Sequence, residues 1–113
     1  MDTVTLTIGR ESEKHRKYVE VPAKVFGIWA VHRPCRSLDA EGKPLLDDTQ
    51  WSITHAPTGR NTYANSRTRA VSWAAAKELA ETLPAYQTQA EITGEEARKI
   101  LDILRKHGLK RYP

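Results

Sequence analysis

Residues 51–83 read WSITHAPTGRNTYANSRTRAVSWAAAKELAETL, and along them the apolar spacing changes from every second residue to every third or fourth. Trp51, Ile53 and His55 alternate with Ser52 and Thr54, the period of a strand with one buried face. Ala56-Pro57-Thr58-Gly59 puts proline and glycine where a tight turn uses them, and Asn61-Thr62-Tyr63-Ala64 returns as the next strand. Ser66 or Thr68 then caps a helix running to about Leu83, where Pro84 stops it. Val71, Ala75, Leu79 and Leu83 form an i, i+4 stripe with Trp73, Ala76 and Ala80 beside it, so one face of that helix is buried.

The remainder of the chain extends this frame in both directions. Thr3 to Ile8 alternates strictly, with Val4, Leu6 and Ile8 on one face, and Tyr18-Val19-Glu20-Val21 alternates again before Pro22, which lacks a donor for the ladder. These two strands predict a hairpin whose long, polar tip spans 9–17 and is expected to be mobile. Val25 to Arg33 (VFGIWAVHR) is the most apolar run and predicts one central strand closed by Pro34. Residues 35–50, with the turn-rich Asp39 to Pro44, predict a long connecting loop. After Pro84 a second helix is announced by Ile92 and the capping box Thr93-Gly94-Glu95-Glu96. Its apolar stripe is Ala97, Ile100, Leu101 and Leu104, and Gly108-Leu109 predicts a Schellman stop. The expected architecture is α+β: a four- to five-stranded, mostly antiparallel sheet followed by two C-terminal helices packed on one face. The sheet is the surface large enough to bury both stripes, and residues 1–113 are expected to form a single domain.

Composition narrows the functional classes. With 28% charged and 39% hydrophobic residues, the chain has the balance of a globular domain and not of a disordered segment. No apolar run approaches the roughly 20 residues that cross a bilayer, and no basic start followed by an apolar stretch marks a secretory leader; a cytoplasmic location and no membrane partner are expected. The lone Cys35 excludes an internal disulfide, and without an activating base it is expected to be inert. No Cys/His spacing suits zinc, and no metal or cofactor is expected. Phosphate loops, nucleophile elbows and zinc-protease helices are missing. If residues 26–33 pair with 51–55, Arg33 faces Trp51 and His55 lies near Trp29, away from His32, which argues against a paired-histidine site. Asp47-Asp48 reads as a solvated turn. The expectation is a protein that is not an enzyme.

The charge is more informative. The net charge is +4 and the isoelectric point about 9.4. Between Asp48 and Glu78 no acidic residue occurs, whereas Arg60, Arg67, Arg69 and Lys77 fall in that interval. Arg67 and Arg69 sit at the start of the first helix, where the macrodipole favours anions and disfavours cations. With Asn65, Ser66 and Thr68 alongside, that helix start is equipped to hold a phosphate or carboxylate; the competing arrangement pairs these arginines with Asp47 and Asp48. A second basic group, Arg10, Lys14, Arg16 and Lys17 with His15, occupies the first hairpin tip. A third is Lys106, Lys110 and Arg111 with Tyr112. Trp29, Trp51 and Trp73 are expected in the core, although Trp29 and Trp51 on an open sheet face would offer stacking platforms.

Thr62-Tyr63, Ser66-Arg67-Thr68-Arg69 and Ala74-Ala75-Ala76-Lys77 together resemble the last strand and helix of a double-stranded-RNA-binding domain, a family with basic residues opening an alanine-rich helix. The likeness covers about a quarter of the chain. The sequence departs from the family in lacking its preceding helix, in carrying arginines where lysines are usual, and in adding a second C-terminal helix, so it is not assigned to that family. Two functions follow as expectations. The first is a small basic accessory domain that grips DNA or RNA through Arg60, Ser66, Arg67, Thr68, Arg69, Lys77 and the Arg10, Lys14, Arg16 and Lys17 tip, without strong sequence readout. The alternative is a non-catalytic protein-binding module, such as a phage or mobile-element inhibitor that docks on a larger host complex, for example one of nucleic-acid-targeting defence.

Overall fold

The computed structural model describes residues 2–8 and 17–111. Among them are eight strands, β1 (Thr3–Ile8), β2 (Lys17–Pro22), β3 (Lys24–Phe26), β4 (Trp29–His32), β5 (Cys35–Leu38), β6 (Pro44–Leu46), β7 (Trp51–His55) and β8 (Arg60–Ser66), then α1 (Arg69–Thr82) and α2 (Gly94–Lys106). A single 3-10 turn, Gln89–Glu91, joins the helices. The class is α+β as the pattern predicts, with more strands than expected. They form three antiparallel sheets: a central one ordered β3-β4-β7-β8, and the two-stranded pairs β1-β2 and β5-β6.

Both extra hairpins have identifiable causes. The run from Val25 to Arg33 is not one strand, because Gly27 adopts φ 61° and turns the chain through Gly27-Ile28, pairing Phe26 with Trp29. A two-residue turn of this kind wants glycine at its first centre. The stretch expected as a long loop holds β5 and β6 instead, with Cys35 opening β5. Their tip is tied by Asp39, whose Oδ1 accepts from the Glu41 and Lys43 amides, both at 2.9 Å. Strands of four and three residues are too short to show alternation in sequence.

The central sheet is buried on both faces. Trp29, Val31 and Ile53 point toward the helices and pack with Ala64, Ala75 and Leu79, so the expectation that Trp29 is core holds; Trp51 and Trp73 pack half-buried against the same cluster. Ala30 points the other way, onto Val4, Leu6, Val19 and Val21 of the β1-β2 hairpin. Helix α1 approaches the sheet closely because Ala75 and Ala76 have no bulk to hold it off; both are fully buried. Thr93 accepts from the Glu96 amide to cap α2. At the other end Leu109 donates to the Leu104 carbonyl (3.0 Å) and Gly108 to Arg105 (2.9 Å), with Gly108 at φ 84°: the Schellman closure expected from Gly108-Leu109. The α2 stripe is shifted, however. Ile100, Ile103 and Leu104 are buried, while Leu101 is 41% exposed.

His32 shares the hairpin-side face with Ala30 by alternation and is fully buried. Its Nδ1 lies 2.8 Å from the Arg33 carbonyl, which only accepts, so Nδ1 carries the proton and Nε2 accepts from the Thr54 hydroxyl at 2.7 Å. Burial lowers its pKa. A folded-state value below the unfolded one means full stability above about pH 6.5, lost as pH falls and the unfolded chain binds a proton that the folded one refuses. Urea denaturation between pH 7.5 and 5 is expected to show stability falling by up to about 1.4 kcal/mol per pH unit below 6.5, a slope that His32→Asn removes. A wild-type profile flat over that range would refute the neutral, buried assignment.

A candidate nucleic-acid interface

The exposed corner where β3, β7 and the start of α1 meet interleaves cations with aromatic rings. The β4–β7 register sets Trp29 opposite His55 and His32 opposite Ser52, and one step further Arg33 meets Trp51, its Cζ 3.9 Å from the ring centroid. Arg33 is held there by donating from Nη1 to the Asp48 (2.7 Å) and Gln50 (3.2 Å) carbonyls. On α1, Arg69 lies over Trp73 at 4.6 Å, the contact that i, i+4 spacing produces. Phe26 packs on Trp73, centroids 6.1 Å apart, and the Lys24 ammonium lies 6.0 Å from the Phe26 centroid. Lys24, Trp51, Arg69 and Trp73 border one depression of about 560 Å³, with Asp2 the single carboxylate in its described lining. Each ring holds its cation by about 0.5–1 kcal/mol at an exposed site.

The helix start supports the same chemistry. Thr68 is the N-cap but makes no side-chain bond to the first turn, which contains no acid. Arg67 precedes the cap, so of the two arginines only Arg69 is helical. Lys77, exposed, continues the row from Arg69 through Trp73 at the same four-residue step. The next acid, Glu78, forms an ion pair with Lys106 and a hydrogen bond with His107 Nε2 (2.9 Å), and these two partners hold its pKa below the usual carboxylate range.

Other expected site residues are placed differently. Ser66 is buried, its hydroxyl donating to the Thr68 carbonyl and sharing a bond with Ser72 Oγ, both at 2.6 Å; it braces the strand-to-helix corner and is not available to an anion. Arg60 opens β8 opposite His55, whereas Ser66 closes it opposite Trp51, four strand steps or about 13 Å away, and Arg69 lies three residues beyond that end; Arg60 therefore does not border the depression that Arg69 lines. Asp47 is buried and is not a solvated turn residue: it accepts from Thr49 and pairs with Arg36 at 2.7 Å, and the Thr49 bonds together with Arg36 pull its pKa down to about 2. Its carboxylate is thus committed to Arg36. Arg10, Lys14 and Arg16 lie outside the described residues, and Lys17 is the first residue of β2. Lys24 and Arg33 were missed by the sequence reading, although the Arg33–Trp51 register was within its reach.

A second concavity, about 430 Å³, lies where β8 faces α2 and the 3-10 turn. Its strand wall is distorted. Ser52 pairs with Asn65 and Thr54 with Asn61, leaving three β8 residues opposite Ile53. The bulge is stitched by Asn61 Oδ1, which accepts from the Tyr63 amide (2.6 Å) and Ser52 Oγ (2.9 Å), and by Thr62, which donates to the Ile53 carbonyl at 2.8 Å. Tyr63 is thereby held at φ 59° and 63% exposed, with Arg111 over its ring at 5.2 Å. A tyrosine in left-handed backbone is costly and marks a position to which function can be attached. His55, beneath, lies 5.4 Å from Trp29 and bridges the Tyr86 carbonyl and the Thr58 hydroxyl, each at 2.7 Å.

No family model, curated protein or solved structure matches this chain. No helix among the described residues is long and apolar enough to cross a membrane.

Proposed function

We propose that this protein is a non-catalytic, nucleic-acid-binding domain that grips phosphates across the face carrying Lys24, Arg33, Arg69 and Lys77. The observation that carries the reading is the set of three cations, each stacked on an aromatic ring, around an open depression at an uncapped helix start. Stacking restricts the side chains before binding, which lowers the entropy lost on contact, and the helix dipole adds attraction for an anion. Phosphate contacts of this kind confer affinity without sequence readout. Fluorescence anisotropy with labelled single- and double-stranded DNA and RNA tests it. Three to four phosphate contacts predict that duplex binding weakens about 40- to 150-fold between 50 and 200 mM salt. Absence of binding to every probe at the lower salt would overturn the reading.

The alternative, docking on a larger protein complex, has its own support on a different surface. Leu45 and Leu46 of β6 are 49% and 38% exposed, and Tyr18 of β2 is 64% exposed. An interface built on such anchors loses little affinity with salt, so the same titration series separates the two readings.

A further inference from the structure

The 430 Å³ groove between β8 and α2 has the size of a small-molecule site and a consistent chemistry. Trp29, Ile92, Ile100 and Leu104 supply an apolar floor. Leu101, left out of the α2 core face, stands at its edge with Tyr63. The polar groups of the wall include Arg60, Asn61, Gln89 and the hydroxyls of Thr58 and Thr62, and no carboxylate occurs in the described lining. Asn61 has its amide oxygen committed to the bulge, which leaves its NH2 as a donor. The second indication is buried. Trp29, which lines the groove, is 1% exposed, and its indole N–H finds no acceptor among the described residues, an arrangement that costs about 1–3 kcal/mol. A flat, apolar body bearing hydrogen-bond acceptors and a negative charge complements the apolar floor, the Asn61 donor and the Arg60 guanidinium.

We propose that this groove holds one nucleotide unit, its base on the apolar floor beside Trp29 and its phosphate at Arg60. The proposal rests on the nucleic-acid reading above and deepens it: the basic face grips the backbone while the groove accepts a single unstacked base. The distortion of β8 fits this use. The Tyr63 and Ala64 amides are turned onto the side chains of Asn61 and Thr62, which blunts the strand edge against pairing with another strand and leaves Tyr63 as an aromatic rim on which a base stacks. The same chemistry is presented by a free nucleoside monophosphate and by a nucleotide at the end of a strand.

The test is a ¹H–¹⁵N NMR titration of the full chain labelled at tryptophan, with the Trp29 indole resonance assigned by Trp29→Phe. AMP, GMP, CMP and UMP are added separately, followed by a 5′-phosphorylated tetranucleotide. The expected result is a saturable shift of the Trp29 indole resonance, weakened about tenfold by Arg60→Ala, equivalent to about 1.4 kcal/mol, and left in place by Arg69→Ala. Tighter binding of the tetranucleotide assigns the unit to a strand; equal binding assigns it to the free nucleotide. No movement of that resonance by any of the four up to about 5 mM, weaker than any specific site, or a shift indifferent to Arg60→Ala, overturns the proposal. If labelled oligonucleotides still bind with steep salt dependence, only the groove assignment falls; if they do not, both readings fall together.

Discussion

Replacing Gly59 by alanine is expected to destabilise the domain by about 2–5 kcal/mol, a large part of the 5–15 kcal/mol that holds a domain of this size together. Gly59 ends the tight turn between β7 and β8, donating to the His55 carbonyl at 2.8 Å, and has φ 71°. Alanine in that left-handed conformation costs roughly 1–2 kcal/mol. The greater cost is steric. A Cβ there would sit 2.7 Å from the Thr5 carbonyl oxygen and 2.9 Å from Thr7 Oγ1, and a strand carbonyl cannot rotate away. Thr7 donates its amide to the Gly59 carbonyl at 3.1 Å, so relief requires the β1-β2 hairpin to lift from the turn, adding about 1–3 kcal/mol. Gly42→Ala provides the control: it has φ 82° and nothing among the described residues within 4 Å of its Cβ, so it pays the conformational cost alone, about 1–2 kcal/mol. Urea midpoints measure both. Equal losses at the two positions would contradict the seating of the first hairpin against the β7-β8 turn.

The double variant Lys24→Glu/Arg69→Glu is expected to lower nucleic-acid affinity at least about 100-fold at low salt and to reduce the slope of log K against log salt by about 2. It exchanges two positive charges for two negative ones in the lining of one depression. Both residues are exposed, so stability changes by no more than about 2 kcal/mol, the size of the two lost stacking contacts. Anisotropy titrations beside thermal unfolding separate loss of binding from loss of fold. Wild-type affinity in a variant that melts normally would move the interface away from this corner.

The same corner illustrates how much of the site was legible beforehand. Arg69 and Lys77 were singled out from an acid-free interval and from the helix start, both features of local order along the chain. The ring beneath Arg69, Trp73, reads from the sequence as core, since a ring half-buried beneath an arginine has the same sequence signature as one wholly buried. Lys24 carried no signal, because only the turn at Gly27 brings β3 beside β4, near Trp73. The acid-free interval groups Arg60 with Arg67 and Arg69, but β8 carries Arg60 to the His55 end of β7 and Ser66 to the Trp51 end. Ser66 looked like a helix-cap hydroxyl and is one residue-pair too early, so its oxygen turns inward to Ser72.

Alternation, i, i+4 spacing and local end signals were sufficient for the α+β class, for the presence of both helices, for the cap and stop of α2, and for the Arg33–Trp51 and Trp29–His55 pairings, because backbone geometry dictates those periods and ladder registers locally. The tertiary structure decided which hairpins share a sheet, that the first hairpin closes the second face over Ala30 and His32, and that Leu101 leaves the core to edge a groove. Those outcomes depend on contacts between segments far apart in sequence, where burial of the whole surface outweighs the preference of any one stretch.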